Sequence, residues 1–388
     1  MLIVHKDNRR GNGVEGISIA KLAQVEFGMR PNPSLISRIK NSYRLALSRS
    51  STPEASAIWS MIGAKQTEIH QALMSDDDRL LMDLLADPQS TNLYYGVDNL
   101  AKDVMDAIGD GWKGAYDGTK AEIDNLLVAL GEVDLFNPHG GARYAYDTKP
   151  EIKSVEEAIE IVDGIFGGKI SFPNPFAGEF GIATSKGLIS YRAIQAVYQS
   201  ILVRRYAAES CLEIGGGMGR TAYFGHLLGL KYTIIDLPMT IVGQALFLAS
   251  VLGDDAIWLL GDTTPKNGRI ALLPPSELHS VGQVDVVLNV DSLTEMGEKT
   301  ATEYLAWISA NCETFISVNH EANLFKTIKL CQSLYQSSLR SRCPYWLRVG
   351  YVEEVFSFER NLRMHEAIRA STSWWLTQPL RRLASLFR

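Results

Sequence analysis

The residues best placed to do chemistry lie between positions 209 and 238. An apolar run at 211–214 contains Glu213 and breaks into Gly215-Gly216-Gly217-Met218-Gly219. An amphipathic stretch follows to Leu230, and a second apolar run, 232–235, ends on Asp236. The pattern reads as strand, glycine turn, helix, strand. Glycine lets the backbone turn sharply and lets a ligand approach where a Cβ would stand. A carboxylate at the tip of the second strand can accept both hydroxyl protons of a ribose. The chemistry indicated is the binding of a nucleoside-containing cofactor. Spacing argues against two such classes: the third glycine of a dinucleotide fingerprint would fall on Arg220, and the phosphate loop G-x-x-x-x-G-K-[ST] has no match.

The elements around this unit alternate. A long helix is expected over 186–206, leading into the first strand. A third strand over 256–260 ends at Gly261-Asp262-Thr263, a fourth over 284–290 ends at Asp291-Ser292, and a fifth over 314–318 ends at Asn319-His320-Glu321. Helices fill 240–252 and 299–310. Residues 351–358 suit a last, antiparallel edge strand, and 326–348 reads as helix or strand. Such alternation predicts an α/β fold, a doubly wound and mostly parallel sheet with helices on both faces, which binds ligands beyond the carboxyl ends of its strands. Before it, residues 51–175 are expected to be mainly α-helical, with helices over 53–90, 100–108, 120–130 and 155–166. Residues 1–50 form a basic segment with a weak helix at 18–27 and another at 35–47. Loop chemistry between 136 and 175 includes His139, either substrate-reaching or merely exposed.

The spacing Glu213-x-Gly215-x-Gly217-x-Gly219 resembles motif I of the Rossmann-like methyltransferases that use S-adenosylmethionine (SAM). That resemblance implies roles for the strand tips. Glu213 would anchor the cofactor's methionine end through the loop or water, and Asp236, followed by Leu237, would take the ribose hydroxyls. Asp262, adjoined by Thr263, would hold the adenine amino group, unless it only caps a turn. Asn289 belongs to the same set at the end of the fourth strand. More narrowly, residues 90–360 are similar to a family of bacterial sugar O-methyltransferases. The matching blocks are 212–219, Ile235-Asp236-Leu237-Pro238, 289–296, Asn319-His320-Glu321 and 346–354. This implies SAM as cofactor and a sugar hydroxyl as acceptor, in a polysaccharide or glycosylated-metabolite pathway.

Methyl transfer to a hydroxyl requires a base within reach of the departing proton. His320 is the first expectation, since a free imidazole titrates near neutrality. Asp291 and Glu295 would orient the substrate or the base. Each has a plainer alternative: His320 as a structural histidine, and Ser292-x-x-Glu295 as a helix capping box. Mg²⁺ held by Asp262, Asp291 and Glu295 is a minority reading, and nothing in the spacing fixes a metal site. A non-sugar or lipid-linked hydroxyl, or a non-catalytic module keeping the fold, stays open beside the sugar reading.

Composition sets the outer bounds. The chain has 388 residues, enough for two cores, with 46% hydrophobic and 21% charged residues. No apolar run reaches the length of a membrane helix. Four cysteines, with no C-x-x-C pair, read as thiols of a reducing compartment, and the cytoplasm is expected. The net charge is −6, but residues 1–50 carry +6 and 361–388 carry +4, which leaves −16 on the body. An acidic body argues against a nucleic-acid partner. The basic tail, with Trp374, Trp375, Leu376, Leu380, Leu383, Leu386 and Phe387, suits a peripheral membrane or glycan-assembly contact, or packing on its own protein or on a homo-oligomeric mate.

Overall fold

The computed structural model describes residues 2–5, 21–26, 28, 30–49, 57–108, 115–132, 154–207, 209–264, 266–334 and 337–358. His139 and the 361–388 tail lie outside them. The chain opens with β1 (Leu2–His5) and β2 (Lys21–Val25), so the expected helix over 18–27 is a strand where it is described. Helices α1 (Pro33–Arg49), α2 (Ala57–Lys65), α3 (Thr67–Met74), α4 (Asp78–Ala86), α5 (Lys102–Ile108), α6 (Ala115–Leu130) and α7 (Val155–Ile165) follow. Of the helical region expected over 53–90, residues 57–90 form three short helices and a 3-10 turn at Pro88–Ser90.

Strands β3 (Phe180–Thr184) and β4 (Gly187–Ile189) come next. They join β2 and β1 in a four-stranded antiparallel sheet, ordered β1-β2-β3-β4. The expected helix over 186–206 therefore begins late. Gly187 takes φ +121°, and a Cβ there would stand 2.2 Å from the Phe172 carbonyl oxygen, so a strand bridge replaces the first turn. Ser190 then caps α8 (Tyr191–Tyr206) by accepting from the Ala193 N–H at 3.3 Å.

The main sheet is built from β5 (Ser210–Ile214), α9 (Arg220–Leu227), β6 (Lys231–Ile235), α10 (Pro238–Leu252), β7 (Ile257–Leu259), β8 (Ile270–Leu273), β9 (Val284–Val290), α11 (Glu298–Asn311), β10 (Cys312–His320), α12 (Thr327–Leu334), β11 (Ser337–Pro344) and β12 (Tyr351–Phe358). Its order is β11-β12-β10-β9-β5-β6-β8-β7. Strands β5 to β10 run parallel, while β12 is antiparallel to both β10 and β11. The fold is the mixed α/β, doubly wound arrangement that alternation predicts. Two placements differ from the sequence reading. β12 lies inside the sheet and β11 takes the edge, and β8, a short apolar run, lies between β6 and β7.

Side-chain alternation divides the core. Cys211, Ile234, Val286 and Ile316 face one apolar cluster with residues of α1, α8, α9 and α10. Leu212, Ile214, Ile235 and Phe315 face a second cluster with α11 and α12. The first cluster is continuous from Leu35 and Ile36 of α1 to Leu246 of α10, so the amino-terminal helices share a core with the sheet. Neighbours β5 and β9 are reached by chains running to opposite sides of the sheet, and a crevice opens at their carboxyl ends.

Candidate active site

A cleft of about 880 Å³ occupies that crevice. Its floor is the glycine turn. Gly215 and Gly217 take positive φ, +75° and +54°, and a Cβ on Gly217 would meet no atom within 4 Å. A cofactor can therefore lie directly on the backbone there. Gly219, also at positive φ, caps α9 beneath Leu248 and does not line the cleft.

Two carboxyls expected to serve the cofactor line the cleft and are almost fully buried. Glu213 accepts from the Tyr232 hydroxyl at 3.0 Å, and burial pushes its pKa up to about 8. Asp236 accepts from the Leu237 N–H and from Gln244 Nε2, each at 2.7 Å. Burial raises it to about 7 against those hydrogen bonds. Gln244 also donates to the Gly217 carbonyl at 3.0 Å, tying the acid to the turn, and its own Oε1 is buried without a partner among the described residues. Leu237 lines the cleft beside Asp236. An open glycine turn, two buried acids and an orphaned acceptor suit a ligand that brings hydroxyl and amino donors, as the nucleoside and methionine ends of SAM would.

Asp262 and Thr263 are not in the cleft. They follow β7, the outermost strand, because β8 intervenes. Arg38 of α1 grips Asp262 through Nε at 3.1 Å and a second nitrogen at 2.7 Å. Burial alone would raise the Asp262 carboxyl, but these bonds hold it below the ordinary range. The wall next to β6 is instead supplied after β8 by Pro275, Ser276, Leu278 and His279. Asn289 is also misplaced by the sequence reading. It is fully buried below the floor, donating to the Ile214 carbonyl at 2.9 Å and accepting from Asn319 at 3.0 Å, and so locks three strand ends together.

On the other side of the turn, Asp291 adopts φ +66°, rare for a residue with a Cβ. It accepts from Arg348 at 3.0 Å and from the Tyr351 hydroxyl at 2.7 Å through Oδ2. His320 does not line the cleft. Its Nε2 lies 3.6 Å from Asp291 Oδ1, its ring meets Tyr351 edge-on, and its Nδ1 accepts from the Ala322 N–H at 3.3 Å. It stands behind Asp291 because β10 carries it past the rim. Glu295, in a short 3-10 turn after β9, does line the cleft. Burial first, then repulsion from Asp291, pushes it up to about 7, against Arg348 and a hydrogen bond from Trp59. The capping-box alternative does not form, since Ser292 makes no side-chain cap and Glu295 faces the cleft. The carboxylate set suggested for Mg²⁺ is not assembled, and among the described residues no group of three or more His, Cys, Asp or Glu is placed to hold a metal.

Several lining residues went unread in the sequence. Arg192, Gln195, Ala196 and Gln199 form one face of α8. The i, i+3, i+7 spacing of Arg192, Gln195 and Gln199, polar within an otherwise buried helix, is the signal that could have found this face. Arg220 is buried and paired with Asp98 and Glu179, joining the turn to the amino-terminal half. Trp59 comes from α2, and nothing in its local sequence marks it.

No family model matches the chain, and no curated protein does. Similar solved structures include a TehB-like SAM-dependent methyltransferase from Corynebacterium glutamicum, 13% identical over 41% of this chain and 86% of that one, with a TM-score of 0.33. Magnesium protoporphyrin IX methyltransferase from Synechocystis with bound SAM is 11% identical over 43% and 78%, with a TM-score of 0.34. An O-methyltransferase family 2 protein from Planctomyces limnophilus, in complex with apigenin, is 10% identical over 43% and 58%, with a TM-score of 0.33. At such identities and TM-scores the likeness carries no argument of its own; the functional reading rests on the cleft.

Proposed function

We propose that the chain is a SAM-dependent O-methyltransferase acting on a sugar hydroxyl. The observation that carries this reading is a single cleft in which the Gly215–Gly217 turn and buried Asp236 stand on one side and Glu295, raised to about 7, stands on the other. SAM, when bound, supplies an electrophilic methyl group on sulfur. Asp236 accepts the ribose hydroxyls, Gly217 admits the cofactor against the backbone, and the loop above Glu213 holds the amino-acid end. Glu295 takes the proton from the acceptor hydroxyl as the oxygen–methyl bond forms and the methyl–sulfur bond breaks. Its pKa near neutrality makes it a competent base, the role first expected of His320. Asp291, held by Arg348 and Tyr351, fixes the rim beside Glu295, and His320 steadies Asp291 from behind. Of the groups that line the cleft, Trp59, Gln195 and Glu303 suit a sugar, which needs stacking surfaces and many hydrogen bonds.

The test is transfer of labelled methyl from SAM to a panel of sugars, nucleotide sugars and glycans, with phenolic and lipid-linked alcohols alongside. Label on a sugar is expected. Label only on the phenolic or lipid-linked alcohols would remove the sugar, and no label on any hydroxyl would remove O-methylation.

A further inference from the structure

On the Glu295 side of the glycine turn, one arginine is incompletely hydrogen-bonded. Arg192 occupies the first turn of α8, where no acidic residue accompanies it. The partial positive charge of a helix amino terminus disfavours a cation there. Arg192 faces the cleft, yet its Nε is buried without a hydrogen-bond partner among the described residues. An N–H buried without an acceptor is costly, so its retention asks for one. The neighbouring acids do not supply it. Asp98 is paired with Arg220. Glu122 accepts from Gln195 at 3.2 Å through one oxygen, and its other oxygen is buried and unpartnered among the described residues. Glu122 feels Arg192 and Arg348 together, which places both guanidiniums in one neighbourhood. Arg348 already has Asp291 at 3.0 Å and lies 3.9 Å from the Tyr351 ring centre, whereas Arg192, which feels Asp98 and Glu122 at a distance and lies 5.1 Å from the Tyr191 ring centre, keeps a buried Nε with no acceptor among the described residues.

We propose that this half of the cleft recognises an anionic group on the acceptor, a phosphate or a carboxylate, with Arg192 as its main contact and Arg348 beside it. A planar guanidinium matches the two oxygens of either group in a forked pair of hydrogen bonds. Burial raises Glu122 to about 7 in spite of both arginines, so near neutral pH its carboxyl is often protonated, repels an anion little and can donate to it. The ribose end of the cofactor belongs to Asp236, across the glycine turn. The proposal rests on the methyl-transfer reading of the cleft and narrows its acceptor to charged sugars.

The probes are glucose 6-phosphate, glucuronate and glucose, titrated calorimetrically into protein saturated with S-adenosylhomocysteine. Both anions should bind at least about tenfold more tightly than glucose, the scale of one charge-assisted contact. Arg192→Gln should abolish that preference and Arg192→Lys should keep part of it. Both variants should bind S-adenosylhomocysteine as the parent does, which also shows that they fold. Equal binding of all three probes, or a preference that survives in Arg192→Gln, overturns the proposal. So does an Arg192→Gln variant that loses S-adenosylhomocysteine but keeps 5′-methylthioadenosine, which lacks the carboxylate, because Arg192 would then serve the cofactor. Parent protein that binds no S-adenosylhomocysteine removes the methyl-transfer reading first, and this proposal with it.

Discussion

The two halves of the cleft are built differently. The Gly215–Asp236 half comes from one continuous unit, β5 to β6, with its acids buried and its turn tied to Gln244. The opposite half is assembled from α2, α8, the turn after β9 and the loop before β12, which bring Trp59, Arg192, Glu295 and Arg348 from distant parts of the chain. Its ion pairs are partly exposed; Arg348 and Asp291 keep 34% and 23% of their side-chain surface. A backbone-built half leaves little room for variation, because the glycines and strand ends define it. A half built from side chains can change its acceptor without disturbing the other, and this separation can be tested by substitution.

The largest effect is expected at Glu295. Glu295→Gln should lower turnover by about 10²- to 10⁴-fold, the usual worth of a positioned base, while the affinity for S-adenosylhomocysteine stays unchanged. A matching loss of cofactor binding would break the division between the halves. Turnover should also follow the base. It should fall as pH drops through about 7, because protonated Glu295 cannot accept the hydroxyl proton. The limb should vanish in Glu295→Gln and persist in His320→Ala. Asp236→Ala comes next, with about 10²-fold weaker S-adenosylhomocysteine binding from the loss of two hydroxyl contacts to a buried acid. His320→Ala should cost less than about tenfold in turnover, since it acts through Asp291. Loss of the acidic limb in His320→Ala would restore the imidazole as the base.

The smallest effect concerns stability. Burial raises Glu213 from 4.5 to about 8 in the folded protein, so folding favours its protonated form. Its contribution is fully present below the unfolded value and is lost as pH rises through about 8. Glu213→Gln, which stays neutral, should therefore flatten the decline in melting temperature between pH 6 and 9. A decline as steep as in the parent would show that Glu213 does not titrate in this window.

The same division explains what the sequence made legible. The glycine spacing and Asp236 could be read because a contiguous strand–turn–helix–strand unit writes its geometry in local residue types. Asp262 misled because β8 is only four residues long, Ile270–Leu273, and its place between β6 and β7 is a matter of pairing rather than local pattern. His320 sat at a strand tip as expected, but position along a strand does not say whether a side chain passes the rim. Glu295 was recognised, while its proton affinity came from burial and from Asp291, neither visible in one dimension. Trp59 and Arg348 reach the cleft only through packing of segments far apart in the chain.

Calorimetric titration of S-adenosylhomocysteine into the intact protein tests the central claim most directly. The account predicts one site with a Kd of roughly micromolar, about −8 kcal/mol, weakened by Asp236→Ala and untouched by Glu295→Gln. Absence of binding, or binding of NAD in its place, would contradict it.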